Sequence, residues 1–306
     1  MNRRPSLRLR LLSFVMRHVL RPRLLRMRTP QAARRDLDFA GRHLFRAPPA
    51  LLHLPGAVLD WISVGPVQDE RVILYLHGGA YLAGSPTSHA PLLGRISRLS
   101  RLAIAAAHYP LVPEHPAPAQ FDAARAAHAA LVQRGYAPGR IILGGDSAGG
   151  GLALALLADL CRRGQQPAGL FAFSPWTDLA MTGASLVENA ATDPVLPAQR
   201  MAETVALLCG ALAADDPRIS PLRARFERPP PVFLQVGTTE ILRDDSRRMA
   251  KVLTDAGGEV TLQEWPDAPH VWQMLDGYVP EARAALIDVA RFLHRLTPGH
   301  NLNSTD

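Results

Sequence analysis

The chain has 306 residues, of which 47% are hydrophobic and 20% charged, so it can bury a large core and disorder is excluded as its default state. Its formal charge of +7 comes from one segment, because eleven arginines lie within residues 1–35 and no acidic residue precedes Asp36. The remaining 23 basic residues face 27 acidic ones, a net of −4, which excludes a basic nucleic-acid groove on the body of the protein.

The first 50 residues stand apart from the rest, and we assign residues 1–50 to an N-terminal cap arm. Apolar residues recur there at helical spacing, at Leu7, Leu11, Phe14 or Val15, and Val19. Arginines lie between them, so the pattern predicts a basic amphipathic helix. Two interpretations stay open: a cap helix laid over the active site, or a helix that makes peripheral contact with a membrane surface.

From residue 57 onward, short apolar runs alternate with longer helical patterns. The predicted strands are 72–76, Leu102–Ala107, 141–143, 170–173, 232–236 and Val260–Trp265. The predicted helices are 90–100, 119–134, 148–163, 244–256 and 280–296. Continuous apolar strands that alternate with helices indicate an α/β fold, with a mostly parallel central sheet and helices on both faces.

A proline-rich segment interrupts this alternation, and we assign residues 175–231 to a cap insertion with one helix near 198–213. The core then consists of 51–174 and 232–306. Insertions in such folds lie at the C-terminal ends of the strands, where ligands bind. We therefore expect the arm and the insertion to form a helical cap.

Cys161 and Cys209 fall in apolar helical patterns, which predicts buried thiols and no disulfide framework. No Cys/His cluster has metal-ligand spacing, so we expect neither a metal nor a cofactor. No segment approaches the ~20 apolar residues of a transmembrane helix, and no signal peptide pattern is present. These features predict a cytoplasmic protein.

The segment Gly145-Asp146-Ser147-Ala148-Gly149 follows the strand 141–143 directly and opens an apolar helix. A Gly-x-Ser-x-Gly match alone is weak, since a chain of this length contains roughly 0.1 of them by chance. Its place between a strand and a helix is the setting of a nucleophile elbow, in which glycines prevent collisions in a strained turn. We predict Ser147 as a nucleophile.

A serine hydroxyl needs a base to take its proton, and in this setting the acid and then the histidine follow the serine in the chain. His270 lies five residues past Trp265 in a proline-containing loop, and we predict it as the base. His294 lies in a helical pattern and His300 in a polar tail, so both are interpreted as surface residues.

Glu240, four residues past the strand 232–236, is the predicted acid that orients the imidazole. Asp244 or Asp245 stays open as an alternative, although both are placed to cap the following helix. Asp267 also stays open, although it is close in sequence to His270.

Attack on an ester carbonyl creates an oxyanion, which needs donors that are already aimed at it. The segment His77-Gly78-Gly79-Ala80 ends the strand 72–76, and its small residues let backbone N–H groups approach a substrate. We predict that backbone N–H groups of this segment, together with the N–H of Ala148, form an oxyanion hole. His77 is expected to brace this loop rather than act as a base, and we assign His77 and Tyr81 to the substrate-binding region.

With these residues, the chain resembles the hormone-sensitive-lipase-like family of bacterial esterases, family IV of the α/β hydrolases. The matching segments span residues 70–275: His77-Gly78-Gly79, Tyr109-Pro110-Leu111-Val112-Pro113-Glu114-His115-Pro116, Gly145-Asp146-Ser147-Ala148-Gly149-Gly150, Ser174-Pro175-Trp176-Thr177-Asp178, Asp193-Pro194-Val195, Ser220-Pro221-Leu222 and His270. The resemblance implies the triad Ser147, Glu240 and His270, an oxyanion hole formed by the N–H groups of Gly79, Ala80 and Ala148, and a lid over small acyl esters. The chain departs from the family pattern at Ala80, commonly glycine, and at Glu240, where many members have aspartate.

We therefore predict a serine carboxylic-ester hydrolase that acts on short- to medium-chain acyl esters through an acyl-enzyme intermediate. An amide deacetylase with the same triad is an alternative, and so is a non-catalytic protein that binds a small ligand on this fold.

Overall fold

The structure of the chain is a computed structural model that describes residues 4–296, apart from the side chain of Asp69. These residues form one eight-stranded sheet of β1 Leu51–Leu54, β2 Leu59–Val64, β3 Gln68–Leu76, β4 Leu102–Ala107, β5 Ile141–Asp146, β6 Gly169–Phe173, β7 Val232–Gly237 and β8 Val260–Trp265. The strand order is β1-β2-β4-β3-β5-β6-β7-β8. The strand β2 pairs antiparallel with β1 and β4, and the other neighbours pair parallel, which confirms the mostly parallel sheet.

The helices lie before, between and after these strands: α1 Leu7–Val15, α2 Arg21–Arg26, α3 Pro30–Phe39, α4 Pro86–Ser100, α5 Ala119–Gln133, α6 Ser147–Arg162, α7 Ser185–Glu188, α8 Met201–Cys209, α9 Arg243–Asp255 and α10 Pro280–Arg295. A wider π-helical segment, Met16–Leu20, joins α1 to α2 without a break, and another, Ala40–Leu44, continues α3.

The sheet separates two apolar cores, and β3 shows how. Its residues Val72, Leu74 and Leu76 point into a core shared with α5, α6 and α9, whereas Ile73 and Tyr75 point into a core shared with α4 and α10. Successive side chains of a strand point to opposite faces, so a continuous apolar run is required when both faces are covered. The predicted helices on both faces of the sheet are confirmed.

The first two strands were not predicted. The strand β1 is a short edge strand whose Leu52 and Leu54 remain half exposed. The strand β2 carries Asp60, which reads as a loop residue in sequence. In the fold Asp60 is buried and its carboxylate contacts the imidazoles of His53 at 2.6 Å and His108 at 2.7 Å. The partners of this charge come from other strands and loops, so no local pattern reveals them.

Both segments that the sequence assigns to a cap contain helices. The segment between β6 and β7 contributes α7 and α8, and α8 is shorter than predicted because Gly210 ends it with φ 55°. The N-terminal arm contributes α1 to α3, with Leu9 fully buried among Trp265, Trp272 and Leu275. Between residues 4 and 296 no helix has the length and apolar character that a membrane span needs. Cys161 and Cys209 are buried free thiols, as predicted, and His300 lies outside the described residues.

Candidate active site

Ser147 lies on the tight turn between β5 and α6. Its φ of 52° falls in the left-handed region, which is strained for a residue with a side chain. The turn depends on Gly145 and Gly149, which lie two residues before and after Ser147. A Cβ on Gly149 would overlap the carbonyl oxygens of Leu76 and His77, and one on Gly145 would overlap the carbonyl of Gly149. The turn therefore holds the Ser147 hydroxyl at the C-terminal edge of the sheet, where the residue is 8% exposed.

His270 follows β8 and contacts Ser147 across 123 residues of sequence. Its Nε2 lies 2.9 Å from the Ser147 Oγ, and its Nδ1 lies 2.7 Å from Oε2 of Glu240. The Nδ1–H donates to the carboxylate in this arrangement, which leaves Nε2 to accept the serine proton. The structure thus brings the predicted serine, histidine and acid into one hydrogen-bonded chain.

Glu240 is completely buried on the loop after β7. Its second oxygen, Oε1, accepts hydrogen bonds from the Ser174 hydroxyl at 2.7 Å and from the Gly237 N–H at 2.6 Å. A buried carboxylate is stable only when its oxygens have such donors. The extra methylene of glutamate is accommodated because the side chain folds back toward the start of its own loop.

The alternative acids have other partners. Asp244 accepts from the backbone N–H of Ser185 at 2.9 Å. Asp245 accepts from the N–H groups of Thr177 at 2.7 Å and Asp178 at 2.9 Å, and so ties α9 to the insertion. The Asp267 residue is exposed. Within residues 4–296 none of the three carboxylates contacts the imidazole of His270.

The His270 imidazole is buried, and burial by itself opposes its charged form. The hydrogen bond and negative charge of Glu240, together with the charges of Asp193 and Asp146, outweigh burial and raise the pKa of His270 above its ordinary value. A raised pKa makes the ring a better proton acceptor from serine.

The loop after β3 places unpaired donors beside this chain. Gly79 has φ 120° and Ala80 has φ 56°. In the described part of the chain neither of their N–H groups donates to a protein acceptor. The Ala148 N–H belongs to the first turn of α6, where N–H groups have no intrahelical partner. All three predicted oxyanion donors therefore have N–H groups free of helix or sheet bonds.

Asp146 connects this loop to the serine turn. Its buried Oδ1 accepts from the Gly78 N–H at 3.0 Å and from the Tyr75 hydroxyl at 2.8 Å. The sequence analysis gave Asp146 no role beyond its place in the motif. The one sequence signal for this role of Asp146 is its position directly before Ser147, because from there its carboxylate points from the turn to the loop after β3.

His77 and Tyr81 are both buried, at 3% and 1% exposure. The Nδ1 of His77 lies 2.9 Å from the Gly78 carbonyl oxygen, and its ring stacks on Tyr109 at 4.2 Å between centroids. Burial lowers the pKa of His77 to about 3, so it stays neutral. These contacts fit a brace for the loop. The Tyr81 ring lies 6.5 Å from Trp176, and its hydroxyl has no partner within the described residues.

Two further residues, Asn189 and Asp193, reach the acid loop from the cap insertion. The Asn189 amide donates to the carbonyls of Thr238 at 3.1 Å and Glu240 at 2.7 Å. Asp193 is fully buried and accepts from the Ile241 N–H at 2.9 Å. Sequence reasoning missed both roles, since the partners lie about 50 residues away and only the Asp-Pro dipeptide marks the turn.

The N-terminal arm is attached to the loops around Ser147 by arginines. Arg17 and Arg21 donate to the carbonyls of Thr192 and Ala190 in the insertion. Arg34 donates to the carbonyls of Leu82 at 3.0 Å and Val112 at 2.9 Å, beside the oxyanion loop. The arm thus bridges the loop after β3 and the insertion that contacts the loop of Glu240. No group of three potential metal ligands lies close together in the described residues.

Comparisons with known proteins found similar sequences and structures. A protein-family model described as the α/β-hydrolase fold matches residues 73–274. The chain is 41% identical to an acetyl-hydrolase of Streptomyces hygroscopicus over 245 residues, 78% of this chain and 80% of that protein. Its structure is similar to an esterase of the bacterial hormone-sensitive lipase family, with 34% identity, a TM-score of 0.89, and coverage of 96% of this chain and 99% of that one. It is also similar to EstE5 soaked with p-nitrophenyl butyrate, with 30% identity, a TM-score of 0.90, and coverage of 96% and 100%.

Proposed function

Because the chain belongs to the α/β-hydrolase family, we propose that it hydrolyses short- to medium-chain acyl esters at Ser147 through an acyl-enzyme intermediate. The protein is an esterase of the bacterial hormone-sensitive lipase type. The observation that carries the proposal is the hydrogen-bonded chain from Ser147 through His270 to Glu240.

Acylation begins when His270 Nε2 accepts the Ser147 proton and the serine oxygen attacks the ester carbonyl. The N–H groups of Gly79, Ala80 and Ala148 stabilise the oxyanion of the tetrahedral intermediate. Collapse of the intermediate breaks the bond to the alcohol, which leaves with the proton from His270. Glu240 holds the ring through Nδ1–H and stabilises the imidazolium while the proton resides there.

Deacylation repeats these steps with water. His270 takes a proton from a water molecule, which attacks the acyl-enzyme carbonyl at the same oxyanion donors. The proton then passes back to the serine oxygen, and the carboxylic acid is released. The ester and one water molecule are consumed, the alcohol and the carboxylic acid are released, and Ser147 and His270 return to their starting protonation states.

Two observations support a small acyl group. Ser147 is only 8% exposed, so an ester must approach it through a narrow opening, which favours a small acyl group. The relatives also point this way, since one is named an acetyl-hydrolase and another was soaked with a butyrate ester. His77 and Tyr81 belong to the same proposal, His77 as the brace of the oxyanion loop and Tyr81 as part of the acyl pocket wall.

A rate profile tests the substrate class. The kcat/KM values for p-nitrophenyl esters from acetate to palmitate should be highest for the short and medium chains and fall by about tenfold or more at palmitate. Equal values for acetate and palmitate would contradict the proposal. An acetanilide analogue, run beside the acetate, separates the esterase from the amide deacetylase, because amine departure needs stronger protonation by His270. If the protein is an esterase, it should cleave the acetate ester much faster than the acetanilide.

A further inference from the structure

The helical segment from Leu7 to Arg26 has two different apolar faces. One face packs on the body of the protein through Leu9, with Leu12 and Met16 partly buried beside it. The helix is fixed at its start, because the Ser6 hydroxyl accepts from the Leu9 N–H at 3.2 Å and donates to Glu281 at 3.0 Å. This face accounts for how the arm is held.

The opposite face points into solvent. Leu7 is 80% exposed, Leu11 67% and Phe14 60%. Their spacing of four and three residues places them in one line along the helix, which we call the outer stripe. Large apolar side chains in a contiguous exposed row mark a surface that meets a partner. The contacts of the arm with the body leave this row uncovered.

Positive charge surrounds the outer stripe, although Asp36 forms an ion pair with Arg23. Arg8 and Arg10 are exposed and form no ion pair within the described residues. Beyond Phe14, whose ring lies 4.3 Å from that of His18, an open groove of about 760 Å³ is lined by His18, Val19, Arg23, Arg26, Arg28 and Arg35 together with Asp36. The apolar row therefore runs into a basic groove.

We propose that the outer stripe docks on an anionic membrane surface. An amphipathic helix at an interface buries its apolar residues among the acyl chains while its arginines meet acidic headgroups. A second copy is a poor occupant, because a symmetric contact through this face would bring two arginine-rich arms together. The cap role and the membrane role are compatible, since they use opposite faces of one helix.

Sedimentation with vesicles tests the proposal on the full chain. The probes are vesicles of phosphatidylcholine alone and vesicles that also contain phosphatidylglycerol. One variant removes the apolar row, Leu11→Ser with Phe14→Ser, and another removes charge, Arg8→Gln with Arg10→Gln. Matched controls are Val187→Ser, at an 81% exposed site on α7, and Arg223→Gln with Arg225→Gln, a pair of exposed arginines on the insertion.

The wild type and both controls should bind the anionic vesicles equally and the neutral ones weakly. The arginine variant should lose about thirtyfold in partition coefficient, since each basic residue near an anionic surface contributes about one factor of five. The Leu11/Phe14 variant should lose about tenfold or more. Hydrolysis of p-nitrophenyl butyrate should be unchanged in both, because the substituted residues face away from the body.

Binding that is equal in all four variants would overturn the proposal, and so would absence of wild-type binding. Sedimentation velocity without lipid tests whether the outer stripe instead binds a second copy of the chain. A wild-type dimer that the Leu11/Phe14 variant converts to monomer would assign the outer stripe to a second copy of the chain and overturn membrane docking.

Discussion

The Ser174 hydroxyl donates a 2.7 Å hydrogen bond to Oε1 of the buried Glu240. Ser174→Ala removes one of two donors to this oxygen, so the carboxylate should hold His270 less firmly and kcat should fall by about tenfold with KM little changed. Steady-state kinetics on p-nitrophenyl butyrate measure this. Ser246→Ala is the matched control, because the Ser246 hydroxyl is buried without a partner in the described residues. Equal effects of the two substitutions would contradict the specific role of Ser174.

Ser147→Ala should reduce ester hydrolysis by about 10⁴-fold or more and abolish labelling by a fluorophosphonate, because no other group can form the acyl-enzyme. Ser147 has φ 52°, and alanine carries a Cβ as serine does, so the substitution adds no backbone strain to the turn. A thermal unfolding curve close to that of the wild type serves as the folding control. Labelling that persists would move the nucleophile elsewhere.

Glu240→Gln should lower kcat by several orders of magnitude, about 10³ to 10⁴, because a neutral amide does not stabilise the imidazolium. Asp267→Asn changes an exposed carboxyl nearby and should leave kcat within about twofold. A loss below tenfold for Glu240→Gln, or a large loss for Asp267→Asn, would reassign the acid.

The pH dependence follows from His270. Its pKa is raised above the ordinary 6.5 by Glu240 despite burial, and the base must be neutral to act. Activity should therefore fall as the pH drops through a midpoint above 6.5 in a kcat/KM profile. In Glu240→Gln the residual activity should show this limb at lower pH, because the charge that favours the imidazolium is gone. A limb that stays in place would show that another group titrates.

Gly149→Ala should destabilise the protein by about 3 kcal/mol, because its Cβ would overlap the carbonyl oxygens of Leu76 and His77. The strand end and the helix start cannot separate without moving the oxyanion loop, so activity should fall as well. Gly139→Ala provides the control, since a Cβ there meets nothing within 4 Å. Urea unfolding of the two variants gives the comparison, and equal stabilities would contradict the close approach.

Much of the fold was predictable because the parallel sheet is covered on both faces. Such a strand is a continuous apolar run, and Leu102–Ala107 begins and ends where the sequence predicts. The edge strand Val260–Trp265 also has the predicted bounds, although Thr261, Gln263 and Glu264 interrupt its apolar residues. The strand β2 was not predicted because it carries Asp60, whose charge is compensated by His53 and His108. The expected resemblance to the bacterial hormone-sensitive-lipase-like esterases is confirmed by the family match and the similar structures.

Local sequence was enough to predict Ser147 as the nucleophile, because the glycine spacing and the strand-to-helix setting of the turn lie within ten residues. The partners of the serine are a different case. Whether Glu240, Asp245 or Asp267 faces His270 depends on how segments that are distant in sequence meet. In the fold Asp245 accepts hydrogen bonds from the N–H groups of Thr177 and Asp178. Glu240 accepts hydrogen bonds from Ser174 and Gly237.

The arm shows the same division. Its amphipathic period was visible in sequence, and the period left a cap helix and a membrane helix as rival interpretations. In the fold the helix has one covered and one uncovered apolar side, because Leu9 is buried against the body while Leu11 on the other side of the helix is 67% exposed. A hydrophobic period says that a helix has an apolar side, whereas contacts with distant residues determine which apolar residues are covered.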